Sequence, residues 1–167
     1  FHRGPPEASL REIGETDFRS TKVTFKPDPQ IFEVTDFSFE ILSQRLRELA
    51  FLNKGLRISI SDERETRSHE FFFEGGIVSF VEHLNRAKTP IHPDVIYLAG
   101  EREGVAIEIA MQWNETYTES VFSFANNIAT IEGGTHLIGF KSAMTRAVNA
   151  FALTSSLFKK ENETIQG

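Results

Sequence analysis

The chain has 167 residues, 40% of them hydrophobic and 25% charged. That suffices to bury about 70% of the unfolded surface in one domain or two small ones, and it excludes a large multidomain enzyme. A net charge of -6 excludes a protein that coats nucleic acid or an anionic membrane with its whole surface and confines any such contact to a local patch. The absence of cysteine excludes disulfides, thiolate metal ligands and a cysteine nucleophile, and is compatible with a cytoplasmic location.

The first residue is Phe1 and methionine occurs only as Met111 and Met144, so a segment of a longer chain is expected. No run approaches the ~20 apolar residues that cross a bilayer, and a soluble piece without membrane contact is expected. Residues 1 to 20, punctuated by Gly4, Pro5, Pro6 and Gly14, read as a loop. From Thr21 the sequence alternates through Lys22, Val23, Thr24 and Phe25 and stops at Pro27 and Pro29, which predicts a strand with Val23 and Phe25 on one face. Asp36 or Ser38 then caps an amphipathic helix whose stripe is Ile41, Leu42, Arg45, Leu46, Leu49 and Leu52, with Gly55 suited to the left-handed position beyond its end. Leu56, Ile58 and Ile60 alternate with polar residues, and a charged stretch leads to Phe71, Phe72 and Phe73. A β-hairpin is predicted.

Gly75-Gly76 is the sharpest break in the middle of the chain, and a domain boundary is placed there although each side carries a net charge of -3. A short amphipathic stretch with Ile77, Phe80, Val81 and Leu84 follows. Beyond Pro90 come three strand candidates, Val95 to Ala99, Val105 to Trp113 and Ser120 to Phe124, which predict an antiparallel meander with Val105, Ile107, Ile109, Met111 and Trp113 facing a core. Gly133-Gly134-Thr135 opens a final helix, with Thr135 as N-cap and Leu137, Phe140, Met144, Val148 and Phe151 as its apolar stripe. Residues from Lys159 onward read as a frayed polar tail.

No GxxxxGK[ST], GxGxxG or HExxH motif occurs, so common nucleotide, dinucleotide and zinc-hydrolase signatures are missing. The histidines at 2, 69, 83, 92 and 136 include no i,i+4 pair, and no metal site is expected of them. The turn at Gly133 to His136 reads as a helix cap rather than an anion site. Lys141 and Arg146 flank the stripe of the last helix, and the Asn114 and Asn162 sequons are set aside because nothing signals secretion. Sixteen phenylalanines read as core filling. From the residues alone, the chain is a soluble α/β fragment.

The segments also occur in a specific order: Thr21 to Phe25, Arg45 to Asn53 (RLRELAFLN), Phe73 to Ile77 (FEGGI), Leu84-Asn85, Lys88 to His92, Gln112 to Asn114 (QWN), Asn126 to Ile128 and Gly133 to Leu137 (GGTHL). Over nearly the whole chain this closely resembles the B subunits of bacterial DNA gyrases, with the B subunits of topoisomerase IV as the near alternative. A non-catalytic interaction module that binds no nucleotide is the reading from a different class.

The resemblance implies an α+β chain in which residues 1 to 75 form the C-terminal part of a GHKL-type ATPase α/β sandwich and residues 76 to 167 the first part of a transducer with a ribosomal-protein-S5-like fold. It implies a parent protein that uses ATP and Mg2+ to pass one DNA duplex through another, its partners being the gyrase A protein and a second B subunit in a heterotetramer. Thr21 matches a threonine that helps bind adenine through a shared water, Val23 a valine lining that pocket, and Lys141 a basic residue facing the cavity the duplex crosses. The family's water-activating Glu, magnesium-binding Asn, glycine-rich lid and adenine-site Asp precede the position of Phe1, and its γ-phosphate lysine follows that of Gly167. No catalytic or metal-binding residue is therefore expected in this chain, and no ATP hydrolysis by it alone.

Overall fold

The structure is a computed structural model that describes residues 5, 7–9, 11–17, 21–157 and 164–166. The loop expected over 1 to 20 and the tail from Lys159 are covered only in part, and His2 and Asn162 lie outside the described residues. In chain order the elements are α1 (Phe39–Leu52), β1 (Ile58–Asp62), β2 (Arg67–Phe71), α2 (Ile77–Asn85), β3 (Ile96–Arg102), β4 (Val105–Met111), β5 (Phe124–Ala125), β6 (Ile128–Ala129) and α3 (Thr135–Thr154). The chain divides into two compact units, 1–44 and 45–167. The division falls within α1, and the junction expected at Gly75-Gly76 lies inside the second unit.

In the first unit the strand expected at Thr21 to Phe25 is not formed. A strand exists only by pairing its N–H and C=O groups with a neighbour, and no described strand pairs with this segment. Val23 and Phe25 are 78% and 73% exposed. The expected stop after Pro27 is a turn in which Asp28 Oδ1 accepts from the Gln30 N–H at 2.9 Å and the Asp28 carbonyl accepts from Ile31 and Phe32 at 3.0 and 2.9 Å.

Ser38, not Asp36, caps α1: its Oγ accepts from the Ile41 N–H at 3.3 Å, satisfying one of the donors that a helix start leaves unpaired. The buried positions are Phe39, Ser43, Ala50 and Phe51, so the covered face is rotated from the aliphatic stripe read from the sequence, and Ile41 stays 71% exposed. The difference follows from Phe51, whose large ring takes the core position. Gly55, at φ 78°, closes the helix end as expected.

Phe51 is fully buried and centres the second unit. Its ring stacks on Phe73 with centroids 3.6 Å apart and on Phe80 at 5.1 Å. His83 lies tilted against it at 5.5 Å, and Phe80 meets Phe122 edge-on at 5.2 Å. Burial, and after it the charges of Arg47 and Arg86, push the His83 pKa down, favouring the neutral ring that such packing requires. Core filling, expected of the phenylalanines as a group, holds for part of them: Phe39, Phe51, Phe71 and Phe80 are buried, whereas Phe25, Phe32, Phe37, Phe122 and Phe151 stay exposed, and Phe72 lies under the Arg57 guanidinium at 4.6 Å.

The predicted β1–β2 hairpin is present, antiparallel with Ile58 opposite Phe71 and Asp62 opposite Arg67. Its turn is organised by buried Asp62, whose Oδ1 accepts from the Arg64 N–H at 3.0 Å and Nε at 2.9 Å and whose Oδ2 accepts from Nη2 at 2.7 Å. Hydrogen bonding by the Arg64 side chain is the main cause that lowers the Asp62 pKa from 3.8 to about 2.

The expected meander is replaced by two separate hairpins. β3 and β4 pair antiparallel from Ile96 opposite Met111 to Arg102 opposite Val105, but the third segment does not join them. Instead β5 pairs with β6 across Asn126 and Asn127, both at positive φ, because a two-residue turn of this kind folds the chain straight back on itself. The β4 face expected to be core is covered only near its end: Ile109 and Met111 are half-buried, while Val105 and Ile107 are 60% and 53% exposed.

α3 begins as expected after Gly133-Gly134, but its N-cap is Gly134 without a side-chain cap bond, and Thr135 is its first helical residue. A Cβ at Gly134 would stand 2.8 Å from the His136 ring, so the helix entry leaves little room for a side chain. The tail is held at Ile165, whose N–H donates to Asn149 Oδ1 and whose carbonyl accepts from Asn149 Nδ2, both at 2.8 Å.

Two outcomes follow from this packing. Phe51→Ala leaves a cavity in the aromatic cluster and is expected to cost about 3 to 5 kcal/mol in chemical denaturation. Because folding favours the ionised Asp62, its contribution to stability is complete above pH 3.8 and is lost as pH falls from there toward 2. Asp62→Asn is expected to flatten that part of the stability profile in melts taken between pH 5 and 2, and a profile of unchanged slope contradicts it.

Candidate functional site

The residues singled out from the sequence lie on different elements. Thr21 and Val23 stand exposed on the irregular segment of the first unit. The Thr21 hydroxyl both donates and accepts, which suits it to bridge a water and a ring nitrogen, and Val23 two residues on supplies apolar surface. Their chemistry fits the edge and face of a purine base in part, and neither offers a cation for phosphate.

Lys141 lies in the second turn of α3, where its Nζ pairs with Glu119 Oε1 at 2.9 Å. The two side chains are 47% and 68% exposed. An ion pair this wet is weak and exchanges readily with water or another anion, so the ammonium stays able to meet a phosphate.

A third arrangement was not recognised in the sequence as a site. Asn85, at the end of α2 and only 7% exposed, donates from Nδ2 to Gln112 Oε1 at 2.9 Å and accepts at Oδ1 from Asn114 Nδ2 at 2.9 Å. Gln112 Nε2 in turn donates to the His92 and Pro93 carbonyls at 3.0 and 3.2 Å. His92 Nε2 accepts from the Trp113 N–H at 3.1 Å while Nδ1 faces the Asp94 carbonyl at 2.8 Å, an arrangement that assigns the proton to Nδ1. Pro90 and Asn114 form an isolated antiparallel bridge beside these contacts. Leu84-Asn85, Thr89 to His92 and Gln112 to Asn114 thus form one polar joint between α2 and the end of β4. The signal in the sequence was three short polar motifs, and only folding brings them together.

Among the described residues no three histidine, aspartate or glutamate side chains gather as a metal site, and no helix is long and apolar enough to cross a membrane.

This mixed architecture is shared with gyrase-type ATPase structures, so the α+β class holds. The 43K ATPase domain of Thermus thermophilus gyrase B, in a crystal structure with an aminocoumarin, matches at a TM-score of 0.72 and 33% identity, over 86% of this chain and 39% of that one. The B-subunit of the DNA gyrase from Myxococcus xanthus matches at 0.72 and 29%, over 82% and 42%. The topoisomerase IV ATP binding domain of Francisella tularensis, at 0.64 and 24% over 81% and 36%, shares the fold.

In sequence, the pattern of DNA gyrase B matches residues 76–167. The whole chain is 53% identical over 167 residues to the DNA gyrase B protein of Myxococcus xanthus and 54% identical over 169 residues to that of Halalkalibacterium halodurans. The chain belongs to the DNA gyrase B family. It spans 20% and 26% of the length of those two relatives.

Removal of the joint's central amide tests its energetic weight. Asn85→Ala strands the Gln112 and Asn114 side chains and is expected to cost about 1 to 3 kcal/mol, the scale of buried polar groups that lose a partner, in urea denaturation. A loss near zero would mean that water replaces the joint.

Proposed function

We propose that this chain works within the B subunit of a DNA gyrase, whose ATP binding and hydrolysis drive the passage of one DNA duplex through another and introduce negative supercoils. The observation that carries this reading is identity above 50% to gyrase B relatives along the entire chain. On it, the partners are DNA, the gyrase A protein and a second B subunit, and the setting is the cytoplasm.

Within that activity, residues 1 to 75 belong to the ATPase part and residues 76 to 167 to the transducer, a division supported by the family match that begins at residue 76. Thr21 contacts the adenine side of ATP through its hydroxyl, and Val23 covers the ring. ATP supplies the energy of the conformational cycle through its hydrolysis. The described residues do not fit magnesium, whose ligands on this reading come from elsewhere in the full-length protein. With neither a general base nor a phosphate-binding lysine assigned to it, the chain by itself does not hydrolyse ATP. Lys141 meets phosphates of the passing duplex without reading bases, so its contact is independent of sequence and weakens as salt rises.

Calorimetric titration of a non-hydrolysable ATP analogue into the full-length protein tests the assignment. Thr21→Ala is expected to weaken binding by about 1 to 2 kcal/mol, the scale of one lost buried hydrogen bond. Unaltered affinity sinks the adenine contact.

A further inference from the structure

Asn53 at the end of α1 and Asn127 at the tip of the β5–β6 hairpin are 74 positions apart, yet Asn127 Nδ2 donates to Asn53 Oδ1 at 3.0 Å. The Asn127 carbonyl also accepts from Arg45 Nη2 at 2.9 Å. Both groups that receive the tip are held in place. Arg45 is oriented by its Nη1 bond to Glu48 Oε2 at 2.9 Å. Asn53 donates its own amide to the Leu49 carbonyl at 2.7 Å, which leaves its oxygen turned outward as an acceptor.

Residue type at the tip carries the argument further. Asn126 and Asn127 have φ of 49° and 64°, and glycine, asparagine and aspartate are the residues that such a turn accommodates. Glycine has no side-chain donor, and an ionised aspartate only accepts. Asparagine at 127 therefore satisfies the turn and reaches α1 together. At its other end the hairpin runs into Thr130, whose Oγ1 lies 2.6 Å from Ser123 Oγ and 3.2 Å from His136 Nε2 in the first turn of α3. One short hairpin touches the end of α1 with its tip and the start of α3 with its base. The tip contacts are exposed, so water can take their place, unlike the buried stack around Phe51.

We propose that Asn127 is a positioning residue, the catch of a releasable latch that ties α1, in the nucleotide-bearing part, to the hairpin leading into α3 and Lys141. It rests on the gyrase reading above. Formed and released, the latch has two discrete states, and a ligand that favours one position of α1 shifts the balance between them.

The test uses the full-length protein assembled with the gyrase A protein, as wild type, Asn127→Gly and Asn127→Asp. Both substitutions suit the turn and remove the donor, so each variant is expected to melt like the wild type and to hydrolyse ATP at the wild-type rate while introducing several-fold fewer supercoils per ATP. A supercoil yield per ATP that stays at the wild-type value overturns the latch as a coupling device. Hydrogen exchange of the same proteins separates this outcome from failure of the gyrase reading: faster exchange at the Leu52 and Asn53 amides in both variants supports the latch even if the wild type shows no ATP-dependent supercoiling. Unchanged exchange there overturns it.

Discussion

The stacking of Phe51 on Phe73 and Phe80 is the interaction on which the second unit depends, because it joins three segments that local propensity alone would leave apart. Phe51 comes from the end of α1, Phe73 from the strand exit after β2 and Phe80 from α2. Two-stranded hairpins and a nine-residue helix are marginal on their own. Burying a large ring between them supplies apolar contact, and Phe122 extends it toward β5. The sharp entry to α2 serves the same packing. Gly76, at φ 60°, starts the helix, and a Cβ at Gly75 would meet Ser79 Oγ at 2.2 Å.

Around this apolar centre the remaining connections are polar and carry direction more than energy. The Asn85, Gln112 and Asn114 amides form a chain that ends on the His92 and Pro93 carbonyls. That pairing selects one register for the end of β4 relative to α2. The Asn127 contacts to Arg45 and Asn53 do the same at the other side of α1, in the presence of water. The buried stack and the exposed tip contacts differ in how readily water replaces them, and the proposed latch rests on that difference.

That arrangement bears on function through charge. The chain is acidic overall, and Lys141 is paired with Glu119 on an exposed surface. On the proposed reading, contact with a duplex at such a point is weak and indifferent to base sequence. Thr21 likewise offers one hydroxyl and no charge, so a nucleotide site built on it needs groups that other parts of a longer protein supply.

Periodicity in the sequence determined the helices at 39–52, 77–85 and 135–154 and the β1–β2 hairpin, since helix stripes, caps and alternation arise from contacts between residues close along the chain. It also made the family legible through RLRELAFLN, FEGGI, QWN and GGTHL, and with it the candidate roles of Thr21, Val23 and Lys141. What only the tertiary structure decided is which apolar positions are covered. Ile41 and Ile107 carry the right pattern and stay exposed, and the Thr21 to Phe25 segment has strand character without a strand partner. Long-range pairing also decided the fate of the supposed meander and brought Asn127 to Asn53. An alternating or amphipathic pattern specifies a face, but a partner from a distant part of the chain must arrive to bury that face or to bond its backbone.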